Sequence, residues 1–231
     1  RDNQERYQAL MSELSKVLQR TIRKIECMDI SHCSGSATYG SCIVCTDKGI
    51  DKQASRVYRL PAQNNDYASL VELACRRMQK STTDMLLIDG GKGQLNAVTQ
   101  ALTPAQKKKV AVLAITKDAQ RTRGNERYFY YPYPRPIREI TFSSASCRCL
   151  EHIRDQAHDR AVRYQRQAQA KSSLSSTLLD IPGIGKQRYQ KILQYFGGTQ
   201  PIRQATAEQI AKIPGISKAM AITIQRHLAI E

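Results

Sequence analysis

The chain has 231 residues, with 36 Lys and Arg against 20 Asp and Glu and a formal net charge of +16. A hydrophobic content of 41% supports the core of one mid-sized domain and a smaller one. No apolar run approaches the roughly 18 to 20 residues that cross a bilayer, so a membrane-embedded protein is not expected, and the cationic excess points to a polyanionic partner, nucleic acid or an acidic membrane face.

Tyr7, Leu10, Met11, Leu14, Val17 and Leu18 recur at helical spacing within residues 5–25 and predict an amphipathic helix that packs on the domain behind it. Residues 24–31, 41–46 and 56–60 are short apolar or alternating runs, separated by Gly35, Gly40 and a hairpin-type Asp47-Lys48-Gly49 turn. They predict an antiparallel three-strand meander. A helix is expected over 66–79, a strand over 85–89, a helix over 94–102 and a strand over 110–115, an alternation that implies parallel additions to the meander. Residues 117–136 are basic and then rich in Tyr and Pro; a loop or irregular hairpin is expected there, more readily a solvated loop than a DNA contact although its composition suits the latter. A long basic helix should run from 144 to about 169, and the small polar stretch 170–176 reads as a linker. The expected organisation is an N-terminal helix and linker at 1–21, an α/β domain at 22–169, the linker at 170–176 and a small helical domain at 177–231.

Seven cysteines are present. Cys42 and Cys45 form a C-x-x-C, but on a strand residues three apart face opposite ways, so no shared metal is expected. The cysteines read as reduced and packed, as in a cytoplasmic protein.

Two of the predicted strands end on an aspartate. One is Ile25-Glu26-Cys27-Met28-Asp29; the other is Met85-Leu86-Leu87-Ile88-Asp89, followed by a Gly90-Gly91-Lys92-Gly93 strand-to-helix turn. Placed side by side, such strands bring two carboxylates to one sheet edge, where Mg²⁺ or Mn²⁺ can reach them. The glycine-rich turn is not a phosphate loop, because its spacing is wrong and no Ser or Thr follows Lys92. Glu26 and His32 alternate away from Asp29 and are not assigned to metal, Asp66 alone reads as a helix N-terminal residue, and Asp155 and Asp159 are expected to pair with nearby arginines. His158 stands on a different helical face from His152, and a histidine on a long basic helix is, by itself, more often a surface or core residue than a ligand.

The C-terminal part contains a near-repeat. Asp180-Ile181-Pro182-Gly183-Ile184-Gly185-Lys186 and Lys212-Ile213-Pro214-Gly215-Ile216-Ser217-Lys218 each place a glycine turn ahead of a helical pattern. Turn amides at a helix start favour phosphate, and a lysine stands directly behind each. The pair resembles tandem helix-hairpin-helix motifs, which imply non-sequence-specific backbone binding through Gly183, Gly185 and Lys186 and through Gly215, Ser217 and Lys218. Ser217 in a glycine position weakens the second hairpin on sequence grounds.

The order meander, helix, parallel strands is similar to that of ribonuclease H-like nucleases. The expected fold class is therefore α/β: a ribonuclease H-like mixed sheet with flanking helices, followed by a small all-α tandem helix-hairpin-helix domain. The motifs Glu26-Cys27-Met28-Asp29-Ile30-Ser31-His32, Leu87-Ile88-Asp89-Gly90-Gly91-Lys92-Gly93-Gln94-Leu95 and His152-Ile153-Arg154-Asp155-Gln156-Ala157-His158-Asp159, with the hairpins in the same order, resemble the C-terminal half of the UvrC excinuclease family of bacterial nucleotide excision repair. The resemblance covers about residue 22 to the end. It implies a cytoplasmic endonuclease that cuts on the 5′ side of a lesion, in duplex DNA or at a single/double-strand junction, received from a UvrB–DNA pre-incision complex. Within the family motifs Asp29, Asp89 and His158 match the catalytic set that binds Mg²⁺ or Mn²⁺, and Asp66 matches a further acidic catalytic position. Lys92, at a helix start, is a candidate phosphate contact. Gln156 departs from the acidic residue usual in the family. No nuclease domain of the GIY-YIG type is recognisable in these residues, so the family's 3′ incision is not expected of them. Two rival readings stand beside this one: a ribonuclease H-like repair nuclease acting on deaminated bases, and a non-catalytic DNA-binding scaffold.

Overall fold

The computed structural model describes residues 2–32, 38–61, 65–80, 82–117 and 126–229. Gly35, expected in a turn, and residues 118–125 of the basic segment lie outside the described residues. The chain divides into two compact units, residues 1–165 and 166–231.

The first unit opens with helix α1 (Asp2–Leu18) and continues through β1 (Lys24–Ser31), β2 (Thr38–Thr46), β3 (Gly49–Leu60), α2 (Asp66–Met78), β4 (Met85–Asp89), α3 (Lys92–Ala101), α4 (Pro104–Lys109), β5 (Ala111–Lys117), β6 (Glu126–Tyr131) and β7 (Arg138–Ile140). The strands form one sheet in the order β3-β2-β1-β4-β5-β6-β7. The meander is antiparallel as expected, with Gly49 at φ 105° closing the turn between β2 and β3, while β1, β4 and β5 run parallel. Of the loop or irregular hairpin expected over 117–136, the hairpin reading holds: residues 126–131 form β6, which pairs antiparallel with β5, and β7 beyond the segment pairs with β6. The Arg127-Tyr128-Phe129-Tyr130-Tyr131 run alternates across the sheet, with Tyr128 and Tyr130 buried on one face and Phe129 on the other. Aromatic residues suit such a half-buried pleated surface, and the basic and proline-rich flanks obscured that pattern.

Two hydrophobic layers sandwich the sheet. On one face Ile25, Cys27, Ile43, Met85, Leu87 and Leu113 pack under α1 and the first part of helix α5 (Ser144–Leu179). On the other, Met28, Leu86, Ile88 and Val112 pack under α2 and α3. Cys42 belongs to the second layer and Cys45 to the first, so the C-x-x-C does fall on opposite faces. Burial of this side-chain set is the main drive for the fold. Gly40 lets α2 approach closely, since a Cβ there would lie 2.9 Å from Leu73 Cδ2.

Glu26 is wholly buried and faces the α2 layer, held by Arg77 at 2.7 and 3.2 Å and by Lys24 at 3.1 Å. It therefore serves as a structural ion pair on the side away from Asp29. The start of α5 is tied to α1, where Glu13 accepts hydrogen bonds from Ser143 N and Oγ, both at 2.6 Å, and from Ser146 Oγ.

Residues 170–176, expected as a linker, are helical and continue α5 to Leu179. Leu174 and Leu178, one turn apart, enter the core of the second unit and explain why the serine-rich stretch holds as helix. That unit also contains α6 (Lys186–Phe196), α7 (Thr199–Arg203), α8 (Ala207–Ile210) and α9 (Lys218–Ala229), packed around Ile181, Ile184, Ile192, Ile210, Ile213 and Ile224. Among the described residues no helix is long and apolar enough to cross a membrane.

Candidate functional site

The register of the parallel pair sets the two strand-end aspartates side by side. Met28 pairs with Ile88, and Asp29 and Asp89 are the next residues along β1 and β4. Both share the parity of Cys27 and Leu87, so both face the layer occupied by α5. There α5 presents His158, and the ligand atoms of Asp29, Asp89 and His158 all lie within 4.8 Å of one another. His158 Nδ1 is 3.0 Å from Asp29 Oδ2.

Several bonds hold α5 at this point. Ser41 Oγ, on the strand beside β1, donates to the carbonyl of Ala157 at 2.6 Å. Gln165 Nε2 donates to His32 O at 2.9 Å, and Ser31 Oγ bonds Gln165 Oε1. The turn after Asp89 is equally constrained. Gly90 N donates to Ile115 O at 3.0 Å, a Cβ on Gly90 would lie 2.9 Å from the Gln94 side chain, and Gln94 Oε1 accepts from Gly91 N at 3.0 Å.

The carboxylates sit in an environment that does not favour their charge. Asp29 is only 8% exposed. Its burial, and then the Asp89 carboxylate beside it, push its pKa up to about 6 against the opposing pull of His158. Burial also raises Asp89, offset in part by Arg154, His158 and Lys117. Two oxygen donors and an imidazole suit a hard or borderline divalent cation, and a cation would relieve the mutual repulsion that raises Asp29.

Asp66 is not in this group. It lies in the first turn of α2, where its Oδ1 is 2.6 Å from His32 Nε2, and His32 Nδ1 is 3.1 Å from Thr38 Oγ1. Lys92 is exposed at the start of α3, its Nζ 5.0 Å from the centre of the Phe129 ring. Sequence reasoning missed Arg154. This guanidinium is 5% exposed, bonds Asp155 Oδ1 at 2.8 and 3.1 Å, and lies 3.5 Å from Glu126 Oε1. It precedes His158 by one helical turn, a spacing that could have flagged it. Its pairing with Asp155 bears out the expected partner type for that aspartate.

In the second unit Gly183 and Gly215 both adopt φ 88°, a conformation that favours glycine. Gly185, at φ −90°, caps α6 in a conformation open to any residue. Ser217 is therefore tolerated at the matching place, and its Oγ accepts from Met220 N at 3.2 Å, capping α9. Lys186 and Lys218 are exposed and are the first residues of α6 and α9.

A mixed seven-stranded sheet with an Asp–Asp–His cluster on the α5 face, followed by two matched glycine turns, defines a ribonuclease H-like α/β unit joined to a tandem-hairpin unit. Residues 15–162 match the family model described as the UvrC RNAse H endonuclease domain, and the chain belongs to that family. Residues 175–229 match a SAM-like helix-hairpin-helix tandem. The chain is 37% identical over 219 residues to UvrABC system protein C of Chromohalobacter salexigens, covering 91% of this chain and 36% of that protein. It is 34% identical over 229 residues to UvrABC system protein C of Legionella pneumophila strain Lens, covering 96% of this chain and 37% of that one. The chain thus spans little more than a third of the length of these relatives. Among solved structures, that of human ENDOV aligns with a TM-score of 0.41 at 14% identity, over 72% of this chain and 97% of that one.

Proposed function

We propose that this chain is a cytoplasmic, divalent-metal-dependent DNA endonuclease that makes the incision on the 5′ side of damage in nucleotide excision repair. Its substrate is duplex DNA carrying a lesion or a single/double-strand junction, delivered as a UvrB–DNA pre-incision complex. The observation that carries the reading is the convergence of Asp29, Asp89 and His158 on the α5 face of the sheet, in a family of endonuclease domains.

Asp29 and Asp89 would hold Mg²⁺ or Mn²⁺ through carboxylate oxygens, with the His158 imidazole completing the set. Such an ion supplies positive charge to activate the attacking water and to steady the leaving oxygen. Asp66, which pairs with His32 and not with the three-residue cluster, serves in this reading as a further acidic residue beside the site and not as a direct ligand. Lys92, exposed at the start of α3, binds the phosphate flanking the cut. Gly183, Gly185 and Lys186, with Gly215, Ser217 and Lys218, anchor the duplex through its backbone.

The test is nicking of a lesion-bearing duplex in the presence of the loading proteins, mapped to the nucleotide, with Mg²⁺, Mn²⁺ or chelator. A single cation-dependent nick 5′ to the lesion is expected, lost in Asp89→Asn while duplex binding persists. Unchanged nicking by Asp89→Asn, or preferential cutting of a deoxyinosine duplex lacking a bulky adduct, would overturn the assignment.

A further inference from the structure

The two hairpins are related by a repeat of 32 residues, from Pro182 to Pro214, and under it Arg188 on α6 corresponds to Met220 on α9. Each of these side chains crosses to a turn other than its own. Arg188 Nε donates to Gly215 O, in the second turn, at 3.2 Å, while one of its terminal nitrogens donates to Gly183 O in the first. Met220 reaches back over the first turn, where its Cε would lie 3.2 Å from a Cβ on Gly183. The two glycines bridged in this way are the two that hold φ 88°. A single guanidinium thus joins the carbonyls of both left-handed residues, and a methionine packs against the first of them.

We propose that Arg188 is a positioning residue that locks the two hairpin turns into one rigid, two-phosphate grip on duplex DNA, rather than a third phosphate contact. The inference rests on the assignment of the hairpins as the DNA-binding surface. Its physical basis is the shape of the donor. A guanidinium offers several N–H groups in a fixed plane and can bond two carbonyls at once, whereas an ammonium is a point charge on a flexible stem. Occupying both carbonyls sets the spacing of the turns before DNA arrives. Two preset sites lose less freedom on binding than two independent ones. The electrostatic pull on DNA then comes from Lys186 and Lys218, which stand at the helix starts.

The two roles predict opposite results for Arg188→Lys, which keeps the charge and loses the bridge. In the full chain, duplex affinity and its salt dependence would be measured for wild type, Arg188→Lys, Arg188→Ala and the Lys186→Ala/Lys218→Ala pair. Amide exchange in residues 181–186 and 213–218 would be followed in each variant without DNA. For a clamp, Arg188→Lys weakens binding about as much as Arg188→Ala, on the order of tenfold, keeps the wild-type salt slope, and speeds exchange in both turns. Wild-type affinity and exchange in Arg188→Lys would overturn the clamp, as would a weakening in Arg188→Ala alone with its slope reduced by about 1, the mark of a lost phosphate contact. If the lysine pair leaves affinity and slope unchanged, the DNA-binding assignment of the hairpins fails instead, and the exchange data without DNA still decide whether Arg188 locks the turns.

Discussion

Replacing Asp29 by Asn should make the protein more stable and useless as a metal site at once. Burial and the Asp89 charge raise the Asp29 pKa to about 6 from the usual 3.8. The folded chain therefore holds this proton more tightly than the unfolded chain does. Stability on this account is greatest below the unfolded value and falls as pH rises from about 3.8 to about 6, with the full cost present above that. The gap corresponds to about 3 kcal/mol at neutral pH. Asn keeps the shape and removes the charge. The attraction of His158, a side chain 59% exposed, is already contained in that gap, because it acts to lower the Asp29 pKa. A net gain of about 3 kcal/mol is expected, which for a unit of this size is a rise in melting temperature of roughly 6–12 °C. The assay is thermal unfolding in chelator at pH 7.5 and pH 4.5, followed by the same scans with Mn²⁺. At pH 4.5, between the unfolded and folded values, about 1 kcal/mol of that cost remains, so the advantage of Asn should shrink to roughly a third. Mn²⁺ should raise the melting temperature of wild type and leave Asp29→Asn unmoved. Lower stability of Asp29→Asn than wild type at pH 7.5 in chelator, or an equal advantage at both pH values, would refute this account.

Arg154→Met should destabilise the first unit by about 3 kcal/mol in urea unfolding, because the buried Glu126 side chain loses its cation and Asp89 loses the positive charge that offsets its burial. Arg154→Lys should recover only part of that loss, since it cannot span Asp155 and Glu126 together; full recovery would show that charge alone suffices. Gly40→Ala should cost about 1–2 kcal/mol by pressing a methyl against Leu73 and Leu60. In combination with Leu73→Ala the two losses should fall short of additivity by at least about 0.5 kcal/mol, because the second change makes room for the first. Strict additivity in that cycle would mean that Gly40 and Leu73 do not share the space the geometry assigns them.

The parts of this molecule that could be read in advance are those set by local alternation. The strands carrying Asp29 and Asp89 fall where their apolar runs do, and parity alone puts both carboxylates on one face and Glu26 on the other. Alternation does not say what crosses that face. His158 meets Asp29 because α5 is pinned by Ser41 and Gln165, residues that carry no signature of such a role. Only the His152–Asp159 motif, through its family resemblance, pointed to that histidine. Composition misled where packing overruled it. The serine-rich 170–176 stretch is helix because Leu174 and Leu178 have a core to enter, whereas the Tyr-rich run, left open between loop and hairpin, is strand because β5 offers an edge. Ser217 shows the same limit in reverse. It looked like a weakened glycine, yet the position it fills needs no left-handed φ, and its hydroxyl supplies the cap that a glycine lacks. The glycines that the hairpins do require are the two at φ 88°, and these are the two that Arg188 joins. A repeat read one motif at a time gives two turns; their coupling lies in a place where the copies differ, an arginine in the first and a methionine in the second.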